Sequence, residues 1–191
     1  MPLTTTAQIT ALRNAIDAET DPVFVGYRNE GATGLMSQWF NQLTSPAHVV
    51  WSTGVDVNTL LDAIAFDQYT PSQQPADATA AIFTARLLAI QTKQMNLQNM
   101  TIGRDRINCS RTRVREGLLD AVLAIPSGNN GALRSAAGTD GTRILNAMTR
   151  VALRGERIFA TTSSTTGILT AFNLGYEGQI SDQDVVRALN S

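Results

Sequence analysis

The sequence predicts a mainly α fold: a helical bundle-like body over residues 1–160 and an extended C-terminal arm over 161–191, made of a short strand and a terminal helix. Three observations carry this reading. Apolar residues recur at helical spacing through most of the first 160 positions. Pro and Gly cut those stretches into segments joined by connections of the length a bundle uses. From Ile168 onward the spacing changes to alternation, the period of a strand.

Thr5 or Thr6 caps a first helix whose inner face is Ile9, Leu12 and Ile16, and Asp21-Pro22 ends it because a residue before proline is pushed out of the helical region. Val23 to Gly34 reads as a loop. Leu35, Met36, Trp39, Phe40 and Leu43 then mark a short amphipathic helix closed by Ser45-Pro46, and Val49-Val50-Trp51 is a short extended or buried segment. Asp56 or Thr53 caps the next helix, with Val57, Leu60, Leu61, Ile64 and Ala65 inward and its end at Thr70-Pro71. Pro75 opens the longest helix, from about Ala76 to Thr101, with Ile82, Phe83, Leu87, Ile90, Gln94 and Leu97 inside and Gly103 as its break. A helix over roughly 108–125 follows, then a Pro126 to Gly131 loop, then a helix from Thr142 to Ala160. Thr161 to Thr166 is too rich in Ser and Thr to hold a helix, whereas Phe172, Leu174 and Tyr176 alternate as in a strand. Ser181 with Asp182 and Asp184 resembles a capped helix start. Residues 161–191 read as an arm that docks elsewhere, or as a turn, strand and helix packed on the same body.

At 191 residues the chain suits one domain, large enough to bury a core without disulfides or metals. Cys109 is the only cysteine, so no intramolecular disulfide forms. The start, Met1-Pro2-Leu3-Thr4, lacks the basic and apolar pattern of a signal peptide, and no apolar run reaches the length of a membrane span. Cytoplasmic synthesis with no membrane partner is the expectation.

Charge is spread unevenly. Residues 1–85 carry two Arg and eight acids, a net of −6, while residues 86–157 carry twelve basic and five acidic residues, a net of +7. Fourteen of the fifteen basic residues are Arg, whose planar, weakly hydrated cation suits interfacial pairing better than lysine does.

Catalytic, cofactor and metal sites are not expected, and the chain reads as a non-enzyme. His48 is the only histidine and has no thiolate cluster to complete a metal site or partners to form a triad. Cys109 lies beside Arg106, Arg111 and Arg113, which would activate an exposed thiol, but a cysteine near a helix start is more often a small packed residue. Asp62, Asp67, Asp182 and Asp184 do not form a clear acid–base pair. Gly128, Gly131, Gly138 and Gly141 match no phosphate-loop spacing. Trp39, Trp51, Phe40, Phe66 and Phe83 read as core. The segment with weight is 104–115, which places Arg104, Arg106, Arg111, Arg113 and Arg115 among Ser, Thr and Asn. These arginines can pair with acidic protein surfaces, neutralise phosphates, or stand solvated; no aromatic platforms are interleaved for single-stranded nucleic acid. Together with Phe172, Leu174 and Tyr176 of the arm, they are the candidate interface residues.

Three stretches resemble structural proteins of tailed bacteriophages, most of all small helical proteins of the head–tail connector. These are the opening helix with Asp21-Pro22 and Gly26-Tyr27, the run from Arg113 to Val122 into Ile125-Pro126-Ser127-Gly128, and Ala152 to Ala160 followed by a Ser/Thr run and Gly175 to Ser181. The resemblance implies an adaptor that forms a ring between portal and tail and continues the DNA channel. Its partners would be copies of itself, the portal protein, tail or nozzle proteins and, in passing, packaged DNA; its place would be the virion neck. Another virion structural or ejected protein, or a small DNA-binding module using 104–115, is the alternative.

Overall fold

A computed structural model describes residues 2–64, 66, 79–122 and 139–191. The expected helix end at Thr70-Pro71, the start at Pro75-Ala76, the Pro126 to Gly131 loop, and positions Ala65, Ile125 and Gly138 lie outside the described residues.

The chain is not a mainly α bundle with an extended arm. Among the described residues 56% are helical and 16% lie in strands, so the fold is an α/β mixture with a four-stranded mixed sheet and a two-stranded sheet. The elements run α1 (Thr6–Ala18), α2 (Pro22–Asn29), α3 (Thr33–Phe40), β1 (Val49–Trp51), β2 (Val55–Asp56), α4 (Val57–Asp62), α5 (Ala80–Thr101) and β3 (Arg106–Ile107). They continue with α6 (Thr112–Val122), α7 (Thr139–Ala147), β4 (Thr149–Val151), α8 (Arg154–Ile158), β5 (Ala160–Thr166), β6 (Leu169–Leu174) and α9 (Asp182–Leu189). The larger sheet has the order β4-β1-β6-β5 and the smaller pairs β2 with β3.

Two local readings change, and a third, the Ser/Thr run, is sharpened, each for an identifiable reason. The stretch after Pro22 is helix α2 rather than loop, because Asp21 accepts from the Val23 amide as N-cap and Pro22 occupies the first turn, where its missing N–H costs nothing. The expected 142–160 helix is broken by β4, since the Ala152 amide donates to His48 O at 2.9 Å and Ala152 O accepts from Thr44 at 3.0 Å. The Ser/Thr run becomes β5, a strand that β-branched threonines suit, and Gly167 at φ 58° turns it back into β6.

The chain divides into two compact units, Met1–Val50 with Val151–Ser163 and Phe172–Ser191, and Trp51–Arg150 with Ser164–Ala171. In the first unit Leu12 and Ile16 of α1, Phe24, Met36 and Phe40 are buried together with Tyr176, Ile180 and Val185. Thr5 and Gln8 form a capping box on α1, and Ser181 with Asp184 forms another on α9. The terminal helix is thus part of this core and packs against α1 and α3. Asp184, fully buried, accepts from the Ser181 amide and hydroxyl, from the Leu3 amide at 3.1 Å, and from Arg187. β1 and β6 run parallel here, with Val50 opposite Phe172.

In the second unit α6 packs against both α5 and α7, and Ile90, Leu97, Leu118, Val122, Ile144 and Met148 are buried. Only part of the face expected for α5 is inside: Ile90 and Leu97 are buried, whereas Ile82 is 47% exposed. The short ladder of β2 and β3 sets Val55 opposite Ile107 and positions the basic segment that follows.

Candidate functional site

The basic segment divides into an outer and an inner set. Arg104, Arg106, Arg111 and Arg113 are exposed, and among the described residues none makes an ion pair or a side-chain hydrogen bond. Arg104 precedes β3, Arg106 lies within it, Arg111 leads into α6, and Arg113 sits in its first turn.

Arg115 is different. It is completely buried, and its guanidinium lies over the Trp51 ring at 4.2 Å. Nε donates to Thr166 Oγ1 at 2.9 Å; Nη1 donates to Cys109 O at 2.9 Å and Ser110 O at 2.7 Å; Nη2 donates to Thr112 Oγ1 at 3.1 Å and Ser164 Oγ at 2.9 Å. All five N–H donors of the side chain have an acceptor, and none of these acceptors is a carboxylate. Burial lowers the pKa of Arg115, with the charge of Glu116 among the opposing influences. The Trp51 indole donates to Ser164 O at 3.2 Å, so ring, cation and strand β5 form one network. This arginine holds the second unit together and is not available to a partner.

Beside the outer arginines is a cavity of about 470 Å³ whose lining includes Asn96, Asn99, Arg104, Arg113 and Asp120. α5 and α6 frame it, tied by Lys93 Nζ, which donates to Asp120 Oδ1 at 2.9 Å and Asp120 O at 2.7 Å. Gly117 allows the close approach, since a Cβ there would stand 3.2 Å from Met100 Sδ. The arrangement sets these cations, amides and carboxylate around a lining that is otherwise apolar, with Met100, Val114 and Ala121 among its residues.

The other candidates are placed as follows. Phe172 is at the surface and stacks on His48 with ring centres 4.3 Å apart. Leu174 ends β6 half-buried. Tyr176 lies beyond the strand, inside the first unit's core, edge-on to Phe159 at 5.3 Å, with its hydroxyl donating to Gln179 O. Burial first, and the Arg157 charge second, lower the pKa of His48, and its Nε2 is buried without a hydrogen-bond partner among the described residues. Cys109 is buried, and burial raises its thiol to about 12 even against the Arg115 charge, so it is a packed thiol and not a nucleophile. No cluster of three or more His, Cys, Asp or Glu side chains able to hold a metal occurs among the described residues. None of the described helices is long and apolar enough to cross a membrane.

Comparison with known proteins finds no matching family model, no matching curated protein and no matching solved structure.

Proposed function

We propose that this chain is a non-enzymatic structural protein of a tailed-bacteriophage virion, a head–tail adaptor that forms a ring between portal and tail and continues the DNA channel. One observation carries the reading beyond the sequence resemblance: four arginines within ten residues, exposed and without an intramolecular anion among the described residues. An isolated monomer gains nothing from such a patch, whereas an assembly gains orientation and selectivity when it meets an acidic surface. The first 85 residues, at net −6, supply that surface on a neighbouring copy. Heterologous contacts of this kind generate a ring when their rotation closes. The interface is assigned to Arg104, Arg106, Arg111 and Arg113, all in the second unit. Arg115 supports it from inside the same unit.

The test is native mass spectrometry of the chain alone and mixed with the portal ring of the same genome. A ring-sized species is expected, lost in the triple variant Arg106→Glu, Arg111→Glu, Arg113→Glu while helical circular dichroism stays intact. Assembly untouched by that reversal overturns the interface, and a monomer that ignores the portal overturns the adaptor. Salt-sensitive binding to duplex DNA without assembly would instead assign the same arginines to phosphates.

A further inference from the structure

A second cavity, in the first unit, has a volume of about 410 Å³, and Glu19, Asp21, Trp39, Thr44, Arg154 and Arg157 contribute to its lining. Two of these residues hold buried donors without acceptors. The Arg154 guanidinium stacks on the Trp39 ring, 3.7 Å from its centre, and both Arg154 Nη1 and Trp39 Nε1 are buried with no hydrogen-bond partner among the described residues. A buried unsatisfied donor costs about 1–3 kcal/mol, so two on adjoining side chains are a feature that needs a cause.

The chemistry of the donors narrows what satisfies them. Indole and guanidinium nitrogens only donate, so the missing group is an acceptor, and a planar carboxylate is the acceptor a guanidinium meets best. The residues already present do not supply it. Glu19 Oε1 accepts from the amides of Thr20 and Asp21, Asp21 Oδ1 accepts from Val23, and among the described residues neither carboxylate pairs with Arg154 or Arg157. Arg157, exposed and also without an ion pair there, adds a second positive charge. The two wall carboxylates make the site hostile to a dianion such as phosphate and to nucleic acid, while leaving acceptors for N–H or O–H groups beside a single negative charge.

We propose that this cavity binds a carboxylate flanked by hydrogen-bond donors, with Arg154 and the Trp39 indole N–H as its anchors. Entry turns the Arg154 guanidinium toward the ligand and gives both orphaned donors an oxygen. A free small carboxylate and an acidic side chain on a peptide share this chemistry. The inference stands independently of the adaptor reading, since it uses none of residues 104–115.

The test follows the two indole N–H signals of the intact ¹⁵N-labelled chain by NMR, assigned with Trp39→Phe. Trp51, already bonded to Ser164 O, serves as the internal control. Sodium acetate and N-acetylaspartate N-methylamide are titrated at ionic strength matched with sodium chloride, and sodium phosphate is the dianion control. The expected result is a saturable downfield shift of the Trp39 signal alone, with about tenfold or greater loss of affinity in Arg154→Gln, as removal of a hydrogen bond to a charged group implies. Tighter binding of the peptide-like probe assigns the source to a protein segment, and equal binding to a free carboxylate. No Trp39 shift with either probe overturns the proposal, as does an equal shift with phosphate or chloride. If Arg154→Gln moves the Trp51 signal and so perturbs the fold, Arg154→Lys replaces it. Undiminished binding in the folded variant also refutes the site.

Discussion

Replacing Arg115 by Met keeps an unbranched apolar stem but ends it near the position of Nε, removing all five donors and the guanidinium's contact with Trp51. Two of the five acceptors are the carbonyl oxygens of Cys109 and Ser110, which cannot rotate toward new partners. Leaving them unsatisfied costs about 1–3 kcal/mol each, and the Thr112, Ser164 and Thr166 hydroxyls lose a charged donor besides. Against this, the variant no longer buries a cation lacking a counter-ion, which returns part of the loss. The balance is a destabilisation of about 2–4 kcal/mol, read as the shift of the urea transition. Trp39→Phe in the background leaves Trp51 as the only indole, so fluorescence reports the second unit alone. Arg115→Lys is expected to fare no better than Met, because an ammonium has three donors, no planar fork, and an equally buried charge. A Met variant within about 0.5 kcal/mol of the parent, the range of a neutral surface change, refutes the network as a source of stability, and a Lys variant that matches the parent refutes the role of the fork.

Gly155→Ala places a Cβ 2.6 Å from Ile180 Cγ1 and 3.3 Å from Phe40 O, and because Ile180 is buried the overpacking is expected to cost about 1–3 kcal/mol in urea unfolding. Gly26→Ala in α2 meets nothing within 4 Å and is expected to stabilise by about 0.5–1 kcal/mol in the same assay. Burial works to raise the pKa of Asp184, but hydrogen bonds from Ser181, Leu3 and Arg187 outweigh it and hold the carboxyl below its ordinary value. Its contribution is therefore present above the carboxylate pKa of the unfolded chain and is lost as pH falls through the folded value, so Asp184→Asn should flatten the acid limb of stability against pH. The Cys109 thiol runs the other way: with its pKa raised to about 12, its contribution is present below the ordinary thiol value and is lost as pH rises toward 12. Cys109→Ala should flatten the alkaline limb, and a thiol reagent at pH 8 should label the parent only after denaturation.

The caps and inner faces of the first and last helices were legible because they are local: Thr5 with Gln8, Ser181 with Asp184, and Leu12 with Ile16 lie within a turn or two of each other. α2 was missed although its signal was present, since Asp21-Pro22 both closes one helix and caps the next. β4 was not legible in its own window, because what makes Thr149–Val151 a strand is pairing with residues far back in the chain. Arg115 looked like one cation among five. Its position three, four and seven residues before Leu118, Leu119 and Val122 put it on the buried face of α6, and that spacing was the available clue. Trp39 read as core, but its unsatisfied N–H depends on Arg154, which arrives from a distant segment.

The first unit is assembled from three separated stretches of chain, and its two ends are stitched together where Leu3 donates to Asp184 and accepts from Arg187 at 3.0 Å. During synthesis α1, α2 and α3 emerge long before the residues that cover Leu12, Ile16 and Phe40, which include Ile180 and Val185. Contacts of such sequence separation are slow to form, and until they do the early helices carry an open apolar face. For this protein the interval between α3 leaving the ribosome and α9 docking is a period of exposure to aggregation, and deletion of α9 would make that period permanent.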